Sequence, residues 1–233
     1  MSEQPKDDKH WEKYRKPKES RIFLGCMFVG IGFGFLFENI PAGTMIETDR
    51  MILRKFSIDD YQSVYEFGSN LEVQKYTGDK ILTSPIQAKK IIKEVLLPDY
   101  KNYGYGRLAA IFKPENKIIG FAGLKYLPEI KETDIGFRFL PEYWGKGIAS
   151  EVSIAIIRYG FEILKLENII GIADPMNIGS CRVLEKVGLK FYKFDTYDKC
   201  GDEKYNWYKI SKKQYLTPNS TSYQNFVVSL TVN

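Results

Sequence analysis

Residues 135–151 read IGFRFLPEYWGKGIASE. The apolar alternation over 135–140 predicts a strand, which Pro141 closes because proline has no N–H to give to a ladder. Glycines follow at 145 and 147. Beyond them Ile148, Val152, Ala155, Ile156, Tyr159 and Ile163 recur at spacings of three and four, which predicts a long amphipathic helix over 147–164. A strand therefore runs through a glycine-punctuated turn into a helix. Such a turn can hold an anion: glycines let a phosphate approach the backbone, successive N–H groups point at it, and the helix start carries about half a positive charge. A pyrophosphate is the natural occupant. A plain strand-to-helix connection would use the same two glycines, and Gly-x-Gly alone does not separate the readings.

The surrounding pattern is that of an α/β domain. Residues 50–56 read as a strand, and 58–67 (IDDYQSVYEF) as a helix opening after Ser57 with acids in its first turn. Ser84, Pro85 and the apolar Ile86, Ile91, Val95 and Leu96 predict a second helix. Residues 105–112 and 118–127 are apolar runs joined by KPENK, a hairpin, and 189–197 and 203–210 form another around DKCGD. Between these lie an apolar strand at 169–173 and a helix at 179–187 stopped by Gly188. The order β-α-α-β-β-β-α-β-α-β-β predicts an α/β (α+β) fold with a mixed, mostly antiparallel central sheet flanked by helices.

Composition removes several chemistries. Of 233 residues 44% are apolar, enough for a sizeable core, and His10 is the single histidine. It lies in a charged leader, so a Ser-His-Asp triad, a Cys-His pair or a His-ligated zinc is not expected. Cys26, Cys181 and Cys200 lack metal-ligand spacing, and no metal cofactor is expected. The net charge is +5 from 34 basic and 29 acidic residues, a near balance that gives no electrostatic argument for nucleic acid. No GxxxxGK[ST] phosphate loop occurs. The chemistry must come from carboxylates, hydroxyls, backbone amides or a bound cosubstrate.

The central stretch resembles motif A of the GNAT acetyltransferase superfamily, [QR]xxGx[GA], with Gly147 and Ala149 at the small positions. Trp144 stands at the Gln/Arg position, a departure similar to the branch that acetylates the N-termini of ribosomal proteins and related amines (the Rim-like branch). MIETDRMILRKFSIDDY resembles the opening of that branch, and NIGSCRVLEKVGLKF its second motif. The resemblance implies a catalytic domain over 45–215 and acetyl-CoA as cosubstrate. It implies that the backbone of Phe137, Arg138 and Phe139 receives the pantetheine and acetyl carbonyl. Trp144, Gly145, Lys146, Gly147, Ile148 and Ala149 would hold the pyrophosphate, and Asn177 would contact the cosubstrate, with the Ser180 hydroxyl near the thiol. Both Asn177 and Ser180 are also good helix caps, and the two roles are compatible. The implied acceptor is a peptide N-terminus or a small-molecule amine.

Transfer to an amine needs a neutral nucleophile and donors for the oxyanion. Asp134 stands just before the Ile135 segment, where relatives often carry a carboxylate base, with Glu132 on the same face two residues earlier; an exposed strand-end carboxylate is the alternative reading of Asp134. The second motif's usual tyrosine, a general acid, is here Leu184. Domains are expected at 1–21 (charged leader), 22–44 (glycine-rich apolar segment), 45–215 and 216–233 (tail). Residues 22–37 (IFLGCMFVGIGFGFLF) would span about 24 Å as a helix, short of a ~30 Å hydrocarbon core. Basic residues precede this segment, so a single crossing would export the catalytic domain away from acetyl-CoA. The expectation is a cytoplasmic catalytic domain, with 22–37 in peripheral membrane contact, associated with another apolar helix, or an extension upstream of an ancestral start at Met45. A catalytically weak acyl-CoA sensor and a membrane-associated interaction protein are the alternatives.

Overall fold

The computed structural model describes residues 44–197, 202–217 and 229–230. The leader and the apolar 22–37 segment lie outside them. Among the described residues no helix is long and apolar enough to cross a membrane. The strands are β1 (Thr44–Glu47), β2 (Met51–Arg54), β3 (Arg107–Phe112), β4 (Lys117–Leu127), β5 (Glu132–Phe139), β6 (Asn168–Ala173), β7 (Lys190–Thr196), β8 (Lys204–Ser211) and β9 (Ser229–Leu230). The helices are α1 (Tyr61–Gly68), α2 (Leu71–Gln74), α3 (Pro85–Ile91), α4 (Leu97–Tyr103), α5 (Ile148–Arg158), α6 (Ile178–Lys186) and α7 (Lys212–Tyr215).

One mixed sheet carries them in the order β7-β8-β6-β5-β4-β3-β2-β1-β9. Every neighbouring pair is antiparallel except β5 and β6. Helices cover both faces. Phe121 of β4 meets Phe67 of α1 edge-on, their centroids 5.9 Å apart. Leu124, an odd number of positions along and so on the other face, shares a small apolar cavity with Ile156 and Tyr159. The α5 stripe expected from spacing is the centre of that second layer: Ile148, Val152, Ala155 and Ile156 are buried to 1% exposure or less. Each such isoleucine stabilises the fold by roughly 1.5–3 kcal/mol through burial.

Several boundaries differ from the sequence reading. The second helix continues beyond Leu96: α3 passes through a π turn over Ile92–Leu96 into α4 and ends where Gly104 adopts φ 80°. Pro98 breaks the apolar period there, yet the helix passes it directly after the π turn. Strand β2 is shorter than 50–56, and β1, β9 and α2 were not expected. Strand β5 begins at Glu132 rather than Ile135, because polar Thr133 and Asp134 are buried inside it. The polar residues hid the strand from its apolar pattern.

Tyr100 joins the α4 layer to the sheet. Its hydroxyl accepts the Phe56 N–H at 3.1 Å and donates to the Arg107 carbonyl. Tyr100→Phe leaves both backbone groups buried without that partner, and about 1–3 kcal/mol of stability is expected to be lost. Urea denaturation measures it; an unchanged midpoint would contradict the assignment.

Candidate active site

The turn between β5 and α5 is built by two left-handed glycines. Pro141–Tyr143 form a single 3-10 turn, Trp144 is extended, and Gly145 and Gly147 sit at φ +71° and +77°. A residue with a Cβ adopts such angles only under strain. The first helical bond runs from the Glu151 N–H to the Gly147 carbonyl at 3.1 Å. The amides of Ile148, Ala149 and Ser150 precede it and so lie outside the helical ladder. Among the described residues other than its chain neighbours, a Cβ built on Gly145 would meet nothing within 4 Å, and one on Gly147 only Arg50 Nη2 at 3.7 Å. No other described residue fills the space over the turn.

That space continues into a gap in the sheet. Strands β5 and β6 share a single register pair, Asp134 with Ile170, and then part. On its other side β5 is fully laddered to β4. The Leu140 N–H bonds to Ile119 O at 2.9 Å, so the two-residue alternation turns the backbone groups of Phe137 and Phe139 toward the gap. The Trp144 indole N–H takes one of them, the Phe139 carbonyl, at 2.7 Å. Trp144 therefore fixes the corner between strand and turn by a side-chain bond. The Arg138 side chain points elsewhere: it donates to Gln74 Oε1 at 2.9 Å and to Asp79 at 2.7 Å, over the Phe121 ring. This ties α2 and the loop after it to the strand that lines the gap.

Asp134 sits at the point of parting. It is buried, not an exposed strand-end carboxylate, and its Oδ2 is paired with Arg107 Nη2 from β3. Another Arg107 nitrogen donates to the Asp134 carbonyl at 3.0 Å. Gly136 makes room for this: a Cβ there would fall 2.4 Å from the same guanidinium. Burial pushes the Asp134 carboxyl above its ordinary value, opposed by the adjacent Arg107 charge. Its Oδ1 is buried without a hydrogen bond of normal geometry, although the Ile172 N–H lies near enough to favour the charged form.

A family model described as an acetyltransferase (GNAT) domain matches residues 50–190. The chain belongs to the GNAT acetyltransferase family. It is 34% identical over 166 residues to the uncharacterized N-acetyltransferase YnaD of Bacillus subtilis (strain 168), covering 70% of this chain and 91% of that protein. A GNAT-family acetyltransferase structure from Bacillus anthracis is 30% identical with a TM-score of 0.61, covering 72% of this chain and 99% of that one. The spermidine N-acetyltransferase of Vibrio cholerae, solved in complex with CoA and spermine, shares the fold at 16% identity and a TM-score of 0.60, covering 72% of this chain and 99% of that one. The protein is an acyltransferase.

In this GNAT chain the second motif acts first as a helix start. The Asn177 Oδ1 accepts the Ser180 N–H at 3.1 Å, capping α6. Ser180 is half-buried, and exposed Met176 and Ile178 flank the cap. Leu184, at the position where the motif resemblance implies a tyrosine, is buried in the core at 2% exposure and brings no hydroxyl to the site. Glu132 bonds Lys209 Nζ at 2.7 Å. Arg107, and the Thr48, Arg50 and Glu151 group beside the turn, escaped the sequence reading. Arg50 and Glu151 meet across 101 positions of chain, and no local spacing announces such a pair.

Arg107→Met removes the counter-ion of a buried carboxylate and is expected to cost about 3–5 kcal/mol at about pH 7. Because the folded-state pKa of Asp134 is raised, the folded form binds its proton more readily than the unfolded chain, so the Asp134 contribution to stability falls as pH rises through that pKa. The deficit should therefore shrink on acidification. Urea unfolding at about pH 7 and about pH 5 tests this; a deficit that does not change with pH would exclude an uncompensated Asp134 charge as its source.

Proposed function

We propose that this acyltransferase moves the acetyl group of acetyl-CoA to a primary amine, a peptide N-terminus or a small-molecule amine, by direct attack. The observation that carries the reading is the continuity of the β5–β6 gap with the two-glycine turn at the start of α5. Amides outside the helical ladder there suit a pyrophosphate. The outward backbone groups of β5 suit an extended pantetheine and an acetyl carbonyl. The family match supports the cosubstrate class, and the fold shared with a spermidine acetyltransferase solved with CoA and spermine supports an amine acceptor.

In the proposed chemistry the amine nitrogen forms a bond to the thioester carbonyl carbon, the carbon–sulfur bond breaks, and sulfur leaves as thiolate. The surplus proton on nitrogen passes through water to Asp134. A carboxylate whose pKa is raised by burial is a better base than an ordinary aspartate, and the Arg107 charge beside it favours the ionised form. No hydroxyl stands at the Leu184 position, so the thiolate departs unprotonated or takes a proton from Ser180 or water. A thiol, with a pKa near 8.5, is acidic enough for its thiolate to leave without prior protonation. The Phe137 and Phe139 amides lie on the gap side of β5, where an N–H could reach the oxyanion.

Assayed with acetyl-CoA against N-terminal peptides, polyamines and aminoglycosides, the protein is expected to release CoA thiol with at least one class. Gly147→Val places a β-branched side chain at φ +77° and should abolish cosubstrate binding with the fold retained. Asp134→Asn should lower kcat/KM by about a hundredfold and remove the acid limb of its pH profile, a limb lying above the ordinary aspartate pKa. Unchanged acetyl-CoA affinity in the glycine variant by calorimetry, or a pH-independent loss in the aspartate variant, would refute the corresponding role.

A further inference from the structure

Glu151 lies in the first turn of α5 at 5% exposure, beside the amides that face the turn. A buried carboxylate is tolerated only when its oxygens are bonded. Here both are. Oε1 accepts the Thr48 hydroxyl at 2.6 Å and the Arg50 backbone N–H at 3.0 Å, and Oε2 accepts Arg50 Nε at 2.7 Å and meets Nη2 at 2.6 Å. The β1–β2 turn thus closes over the start of α5. The negative charge is fully used, and it holds the guanidinium in one orientation.

Arg50 itself is not used up. Of its five N–H groups, Nε and one on Nη2 go to Glu151 and one on Nη1 goes to the Lys146 carbonyl at 2.9 Å. One N–H on each terminal nitrogen has no partner among the described residues. The side chain is 40% exposed, and Nη2 is the sole atom within 4 Å of a Cβ built on Gly147. Two donors of a fixed cationic fork therefore border the open space over the turn, and a planar fork matches phosphate oxygens in geometry and charge. A phosphate at the turn would also feel Glu151, whose repulsion its partner Arg50 offsets.

We propose that Arg50 is a side-chain ligand for a phosphate group of the cosubstrate, completing with a cation the cradle that the turn amides begin. The inference rests on the reading of this turn as the acyl-CoA phosphate site. Arg50 is then a binding residue, and Thr48 and Glu151 are positioning residues that act through it.

The test is calorimetric affinity for acetyl-CoA and for acetyl-pantetheine, which lacks the phosphates and the nucleoside, with the full chain and the variants Glu151→Gln, Arg50→Met/Glu151→Gln and Arg50→Lys. Deleting both charges removes the repulsion together with the fork. The double variant is expected to bind acetyl-CoA about 10- to 100-fold more weakly than Glu151→Gln, the size of a charge-assisted hydrogen bond, with acetyl-pantetheine unaffected. Equal acetyl-CoA affinity of the double variant and Glu151→Gln would overturn the proposal and leave Arg50 as a counter-ion alone. Arg50→Lys keeps the charge without the fork, so it remains informative if the double variant does not fold. A loss of several-fold specific to acetyl-CoA supports the proposal, and wild-type affinity overturns it. Should the wild-type chain bind acetyl-CoA no better than acetyl-pantetheine, the phosphate reading of the turn fails with it, recognisable because all variants then behave alike.

Discussion

Parallel strands joined by a helix ordinarily remain laddered side by side, since an amide left without a partner in the sheet costs about as much as a lost hydrogen bond. Strands β5 and β6 pair in register at Asp134 and Ile170 alone. Beyond that pair one edge of β5 is unladdered, while β4 holds its other edge in register from Glu132 to Phe139. A rigid strand with outward backbone groups on one edge is suited to an extended, amide-bearing ligand. The neighbouring elements either keep that gap open or aim something at it.

Two buried carboxylates stand at its two ends, and each is held by an arginine from another element, a strand in one case and the β1–β2 turn in the other. Asp134, at the closed end, is paired with Arg107 of β3; Glu151, at the start of α5, with Arg50 beside β2. Buried pairs of this kind contribute little net stability, because desolvation offsets most of their attraction, yet removing one partner is costly. Their effect is geometric. Arg107 crosses beneath β5 where Gly136 has no side chain, and Arg50 reaches the carbonyl of Lys146 inside the turn. Charge burial thus couples the outer strands to the mouth of the gap.

The two carboxylates differ in how completely they are satisfied, and that difference underlies the roles proposed for them. Glu151 receives hydrogen bonds on both oxygens and has no capacity for a ligand. Asp134 has no hydrogen bond of normal geometry at Oδ1, and its carboxyl is raised by burial. A saturated carboxylate orients its partner, whereas an unsaturated one with a raised pKa can exchange a proton.

The sequence by itself determined the strand, glycine turn and helix of 135–151, because glycine torsion, proline termination and a 3.6-residue apolar period are local properties. It determined the mixed sheet by the order of its segments, and the family by motifs in sequence. It could not show that β5 begins at Glu132, since burial of Thr133 and Asp134 is decided by Arg107 and by Tyr105, whose hydroxyl is 2.7 Å from that of Thr133. It left Asn177 between capping and binding, and the fold shows the cap. The Arg50–Glu151 pair and the parting of β5 from β6 belong to tertiary structure alone: both depend on groups tens to a hundred residues apart in the chain, brought together by packing and carrying no spacing that a linear reading can detect.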